Sequence, residues 1–212
     1  MKKWKKLLIP AMCVFMLQTP VIANAQTGTN DAVTSTIKDP AATPAPTVKK
    51  NGIYTEKGKK YYYVNGVKKK NCWDKSKKYY FGKNGAAYAA PKAYDCKKNV
   101  VVKKIGKKYY GFDRNGCKVK KGVYADTKGT PYYFDKNGVR VTNKSTQLKK
   151  ASKYMANAKN LRKLLGKPSR TKTASSCMPG VKKDLTLTYA NITVQLGRKS
   201  NGSEIVYGIQ AR

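Results

Sequence analysis

Tyr132-Tyr133-Phe134-Asp135-Lys136-Asn137-Gly138 places an aromatic run directly before a tight-turn signal. Aromatic runs favour a pleated, half-buried strand, and Asn-Gly supplies the two positive-φ residues of a two-residue hairpin turn. The same rhythm stands three times upstream. It reads Tyr61-Tyr62-Tyr63-Val64-Asn65-Gly66, then Tyr79-Tyr80-Phe81-Gly82-Lys83-Asn84-Gly85, then Tyr109-Tyr110-Gly111-Phe112-Asp113-Arg114-Asn115-Gly116, and an isolated Asn51-Gly52 begins the series. After each turn the chain is expected to leave as a second strand, as in Val67-Lys68-Lys69-Lys70 or Val139-Arg140-Val141-Thr142. A lone hairpin of this length is marginal in water. Stacked copies bury their aromatic faces on one another, the logic of a solenoid. The spacing of the Asn-Gly pairs is irregular, so the expected stack is distorted.

All but Tyr154, Tyr189 and Tyr207 of the 16 tyrosines fall between residues 51 and 143, so the aromatics belong to the repeat. Strand alternation sends one ring of each pair to each face. One set is expected in the core of the stack and the other exposed as a ligand platform. Asp113 and Asp135 hold equivalent places beside two turns and read as turn-capping side chains.

Beyond residue 143 the pattern changes. Leu148, Tyr154, Met155, Ala158, Leu161, Leu164 and Leu165 recur near helical spacing, Ser145 or Thr146 is placed to cap the start, and Gly166 and Pro168 end the run. Leu185–Tyr189 and Ile192–Leu196 alternate with period two, and Glu204–Ile209 follows a Ser-Asn-Gly-Ser turn. The fold class expected is mostly β: an irregular solenoid of stacked β-hairpin repeats, then a small α+β domain with one helix on an antiparallel sheet.

Upstream, Met1–Lys6 is basic, Leu7–Leu17 is apolar and Ala23-Asn24-Ala25 is a small-residue cleavage site, which together read as a secretory leader. Residues 26–50 are rich in Thr, Ala and Pro and read as a disordered linker. The expected organisation is therefore a leader at 1–25, a linker at 26–50, repeats at 51–143 and an α+β domain at 144–212.

The chain carries 46 Lys+Arg against 10 Asp+Glu, a formal net charge of +36, and no histidine. Lacking an imidazole, it has no Ser-His, Cys-His or His-zinc chemistry, and so few carboxylates leave little for a paired acid–base site. The expectation is a non-enzymatic protein needing no cofactor and no metal. No fold requires a charge of this size, which points to an anionic partner, with simple solubility as the alternative. Lysine runs such as Lys68-Lys69-Lys70 and Lys118-Val119-Lys120-Lys121 read as solvated protection of strand edges. Once Cys13 leaves with the leader, Cys72, Cys96, Cys117 and Cys177 remain, with three possible pairings or free thiols.

The repeat resembles the cell-wall-binding family of Gram-positive surface proteins, which includes choline-binding and glucan-binding modules. The resemblance covers residues 51–143, and two copies share the lead-ins Gly58-Lys59-Lys60 and Gly106-Lys107-Lys108. It implies stacked β-hairpins that bind choline or polysaccharide between neighbouring units. Choline cages of the family carry tryptophan in two slots. Here the first slot holds Ile53, Trp73 and Val123, and the second holds Lys60, Lys78, Lys108 and Pro131, so Trp73 alone keeps the aromatic. A quaternary ammonium needs several π faces and no nearby cation. Lysines in those slots suit a phosphate-rich or otherwise acidic polymer, with tyrosines packing on sugar faces. The C-terminal unit is similar to small helix-plus-sheet modules of exported bacterial lipoproteins, through Leu165–Pro168, Ser176-Cys177 and Tyr189–Asn191.

The function expected is that of a secreted, cell-surface protein binding anionic wall polymer, of which teichoic acid is an example, or polysaccharide. The alternatives are a secreted polycationic binder of nucleic acid or membranes, and a wall-anchored module whose C-terminal domain binds a protein partner or acts as an inhibitor. The ligand-binding residues expected are Trp73, Tyr61, Tyr62, Tyr79, Tyr80, Tyr109, Tyr110, Tyr132 and Tyr133, with Lys60, Lys78 and Lys108.

Overall fold

In the computed structural model, which describes residues 49–93 and 96–212, the aromatic runs are second strands of hairpins rather than first. The leader at 1–25 and the linker at 26–50, apart from its last two residues, lie outside the described residues. Strand β1 (Gly52–Glu56) turns through Lys57-Gly58, both at positive φ, into β2 (Lys59–Val64), and the two-residue β3 (Val67–Lys68) follows. Three further antiparallel pairs repeat the plan. They are β4 (Cys72–Trp73) with β5 (Tyr80–Phe81), β6 (Val101–Ile105) with β7 (Lys108–Phe112), and β8 (Gly122–Ala125) with β9 (Pro131–Phe134).

Two-residue turns at every Asn-Gly were expected, but only Asn65-Gly66 has positive φ at both residues. At Gly85, Gly116 and Gly138 the glycine alone is left-handed. In the last two loops the Asp113 and Asp135 carboxylates each accept two backbone N–H bonds, from Asn115 and Cys117 and from Asn137 and Val139, at 2.8–2.9 Å. A carboxylate that satisfies two amides favours this longer loop over the tight turn. The expected second strands shrink accordingly to β3 and to single bridges, Phe81 to Ala87, Phe112 to Lys118 and Phe134 to Arg140.

Those bridges set the register of the repeat. Tyr63, Phe81, Phe112 and Phe134 are equivalent, and the three phenylalanines are fully buried. Adjacent residues on a strand point to opposite faces, so each hairpin offers its phenylalanine to one neighbour and the preceding residue to the other. Tyr62 stacks on Phe81 at 5.7 Å, and Trp73, beside Tyr80, lies 5.9 Å from Phe112. At the next seam the equivalent residue is Gly111, where a Cβ would stand 2.5 Å from the Phe134 ring. No tyrosine of the four pairs is left as an exposed platform, and all eight are half-buried.

The fold class is as expected, with its helix divided. Helix α1 (Thr142–Ala151) and α2 (Lys159–Leu165) are separated by a segment in which Met155 has positive φ. The segment leaves the helical path because its backbone pairs with a sheet edge. Met155 N–H donates to the Val206 carbonyl, Val206 N–H to Ala156 and Ala158 N–H to Glu204. Neither Ser145 nor Thr146 caps α1, whose N-cap is Val141. The Ser145 hydroxyl instead donates to the Val141 carbonyl and accepts the Tyr133 N–H, tying the helix to β9.

Strands β10 (Arg170–Ser175), β11 (Val181–Thr188), β12 (Ile192–Lys199) and β13 (Glu204–Ala211) form an antiparallel sheet in that order. Leu185, Leu187, Val194, Leu196, Val206 and Ile209 pack with Leu148, Ala158 and Leu161 of the helical segment, and the same core takes in Cys96 and Ala125 from the repeats. Glu204 clamps α2 to the sheet through Arg162 and Arg198. Burial pushes its carboxyl upward, yet the two guanidinium groups outweigh that and hold it below the ordinary carboxylate range. Among the described residues Cys72, Cys96, Cys117 and Cys177 stand as free thiols. Among the described residues no helix is long and apolar enough to cross a membrane.

The seam at Gly111 gives a stability prediction. Phe134→Ala should cost ~3–5 kcal/mol, as for a buried aromatic truncated to a cavity. Gly111→Ala should cost ~1–3 kcal/mol by overpacking against the same ring. In the double variant the second cost should be largely relieved, giving a coupling of about 1 kcal/mol or more in urea unfolding. Strict additivity would contradict the seam.

Candidate functional site

The hairpin stack leaves a groove of about 740 Å³ where the second unit meets the two that follow. Trp73 of β4 and Tyr110 of β7 form its aromatic wall, with ring centroids 5.1 Å apart and planes at 75°. Lys77, Lys108, Lys118, Lys120 and Lys136 line it, against one carboxylate, Asp135, already engaged in its own turn. The Lys118 ammonium lies 4.9 Å from the Trp73 ring centroid and 5.7 Å from that of Tyr110. Its burial lowers its pKa from the ordinary lysine value, and Lys120 and Lys77 push in the same direction. The aromatic corner therefore already holds a cation supplied by the chain.

The arrangement recurs along the stack. The residue opposite each core aromatic, two places after the turn glycine, is Lys68, Ala87, Lys118 or Arg140. Lys68 Nζ stands 3.8 Å from the centre of Tyr61, and the Arg140 guanidinium stands 4.2 Å from Tyr109. Where the position is Ala87, Lys60 and Lys78 serve the seam, at 5.0 and 5.4 Å from Tyr79. Cation–π contacts of this kind contribute ~0.5–1 kcal/mol at exposed sites. Each aromatic seam is thus self-supplied with positive charge.

Of the residues expected from sequence, the groove brings together Trp73, Tyr110 and Lys108, with Tyr80 edge-on behind Trp73. The others are spread over the remaining seams. Tyr62 is a stacking residue on Phe81, and Tyr61 lies beneath Lys68. Lys60 donates to the Asn115 carbonyl at 2.6 Å, and Lys78 sits over Tyr79. Tyr109 lies beneath Arg140, and Tyr132 donates its hydroxyl to Asp126 at 3.2 Å. Tyr133 packs on the C-terminal core beneath Lys144, 3.9 Å away. In the bridge register the slot before the aromatic run holds Lys60, Lys78, Tyr109 and Pro131, so Lys108 stands one place outside it.

Lys68 and Lys118, expected as solvated edge residues, instead lie half-buried on aromatic rings, because the short bridge after each turn folds them back over the seam. Lys77, Lys118, Lys120, Lys136 and Arg140 were not singled out as binding residues. The signal that finds three of the seam cations is a basic residue two places after the Asn-Gly glycine, as in Lys68, Lys118 and Arg140.

No protein-family model matches the chain, and no curated protein matches it. Among solved structures it is similar to a choline-binding domain from Streptococcus pneumoniae, at 20% identity and TM-score 0.33, covering 44% of this chain and 98% of that one. It is also similar to the multimodular pneumococcal cell wall endolysin from phage Cp-1 complexed with choline, at 16% identity and TM-score 0.34, covering 73% of this chain. A third similarity is to alternansucrase in complex with isomaltotriose, at 21% identity and TM-score 0.26, covering 73% of this chain. The chain spans 36% of the endolysin and 9% of the alternansucrase.

The face of the first hairpin shows what the seam cations do electrostatically. Tyr63 donates to Glu56 at 2.8 Å, and Lys50 and Lys68 pair with the same carboxylate. The Tyr63 hydroxyl first, and then Lys50, lower its pKa to about 2 from an ordinary 4.5. A depressed carboxyl stabilises the fold fully above its ordinary value and loses that contribution as pH falls from 4.5 towards 2. In urea unfolding, Glu56→Gln should be less stable than wild type at neutral pH, and the gap should close across that window. Parallel profiles for the two proteins would contradict the assignment.

Proposed function

We propose that the repeat region is a non-enzymatic binding module for an anionic, phosphate-bearing cell-envelope polymer of the teichoic acid type, and that the Trp73–Tyr110 groove is its principal site. The observation that carries this reading is the Lys118 ammonium resting on both rings. An aromatic corner filled by the chain's own cation repels a second one, so a quaternary ammonium has no place there. The same cation, with four neighbouring lysines and one turn-bound carboxylate, makes a strong field for phosphate or carboxylate groups. Trp73 and Tyr110 add apolar faces on which a sugar or glycerol unit of the polymer rests.

The surrounding residues support a passive role. Each carboxylate among the described residues is engaged in a turn, an ion pair or a hydrogen bond to tyrosine. The basic, apolar and small-residue order of residues 1–25 supports export. In this reading the repeats adsorb to the envelope, and the C-terminal sheet is the platform on which the last repeat is seated, through Asn191 to the Val123 carbonyl and the shared core.

The test is co-sedimentation of residues 26–212 with purified Gram-positive walls, intact or stripped of teichoic acid, across a salt series. The reading predicts retention that requires teichoic acid and falls as salt screens the field. Lys118→Ala combined with Lys120→Ala should weaken retention about tenfold, equivalent to ~1.4 kcal/mol. Equal retention on stripped walls would overturn the phosphate assignment. Displacement by DNA but not by soluble teichoic acid would move the function to nucleic acid.

A further inference from the structure

A second basic pocket, of about 240 Å³, lies where the fourth hairpin meets α1. Arg140, Lys149, Tyr132, Thr142 and Thr146 line it, and no carboxylate does. Arg140 is unusual within the chain. Its guanidinium lies on Tyr109 and is within 6.0 Å of Tyr132, and its Nε is shut off from solvent with no hydrogen-bond acceptor. That sealing fixes the guanidinium against the rings, and among the described residues no hydrogen bond or ion pair takes up its two terminal nitrogens, which are left for a ligand in the pocket. By contrast Arg162 and Arg198 both hold Glu204. The carboxylate nearest Tyr132, Asp126, accepts the tyrosine hydroxyl with one oxygen and caps its own loop with the other.

From this we infer that the pocket is a site for a single tetrahedral oxyanion, a phosphate group above all, held by Arg140 and Lys149 with the hydroxyls of Thr142 and Thr146. A guanidinium whose face is packed on a ring keeps its N–H edge pre-organised for two-pronged contact with such an anion. Lys149 adds a second charge one helical turn or two beyond the threonines on α1. The first turn of α1 carries no acidic residue and no side-chain cap, so its free N–H groups add to the positive field. The ligand is free phosphate or the phosphodiester of a polymer, and the site goes beyond the Trp73–Tyr110 groove in both place and residues.

The experiment is a ¹H–¹⁵N NMR titration of residues 26–212, first with inorganic phosphate and then with a glycerol phosphodiester. The expected result is saturable shifts confined to Arg140 Nε–H and the Thr142–Thr146 amides. Arg140→Lys keeps the charge but loses the fork, and should raise Kd about tenfold. Lys149→Gln should raise it severalfold, and because Lys149 is exposed this variant decides the matter if Arg140→Lys does not fold. Saturation by the phosphodiester at lower concentration than by phosphate assigns the polymer as source, and the reverse order assigns the free ion. Unsaturable shifts spread over surface lysines, or wild-type affinity in Lys149→Gln, would overturn the site. Loss of wall retention with this titration intact would sink the polymer reading alone.

Discussion

Phe81, Phe112 and Phe134 are each sealed by the hairpin before them, and the rest of the repeat region depends on that seal. A two-stranded hairpin with strands of two to six residues cannot bury enough apolar surface to stand alone. Covered on one side by Tyr62, Trp73 or the bare backbone of Gly111, each phenylalanine loses its water and fixes the distance between units. The last hairpin has no successor. Its rear residue, Tyr133, joins the C-terminal core instead, and the Ser145 hydroxyl bonds helix to strand at that junction. The α+β part therefore ends the stack as a packed cap rather than hanging from it.

The second constraint is charge. A stack of tyrosine faces bearing many lysines would repel itself if the ammonium groups converged in water, and the seams relieve this by laying Lys68, Lys118 and Arg140 over rings. That arrangement has a functional consequence. Aromatic corners of this shape attract cations, and here the chain has already met the demand. What remains unmet is the positive potential around them. An anionic chain running along the seams would meet a series of prepaid cations, each held close to an apolar surface on which a sugar or glycerol unit can rest.

The legibility of this fold in the sequence varies by element, for physical reasons. The four aromatic runs were readable because composition and turn residues agree locally, and β11 to β13 were readable because one face of the sheet is apolar. The hairpin partner strands precede the aromatic runs, whereas the Asn-Gly signal places them after. The tight turns at Lys57-Gly58 and Gly106-Lys107 carry weaker signals than Asn-Gly, although the lead-ins around Lys59 and Lys107 were visible as a repeat. The break between α1 and α2 is a tertiary effect, since the backbone from Met155 to Ala158 satisfies the edge of β13 and no local signal announces it. Strand β10 has no apolar alternation because both its faces are exposed. At the site, Trp73 was legible as a lone aromatic in a repeated slot. Lys118 was not, because a lysine run looks the same whether it is solvated or folded over a ring.

The central claim is that the aromatic corner beneath Lys118 is already occupied and answers to anions rather than to quaternary ammonium. Residues 26–212 contain a single tryptophan, Trp73, so its emission reports that corner alone. Titration with choline, and separately with purified teichoic acid stripped of any choline, reads the claim directly. The account predicts emission unchanged by millimolar choline and a saturable, salt-sensitive change with the polymer. A saturable shift with choline, and none with the polymer, would contradict it.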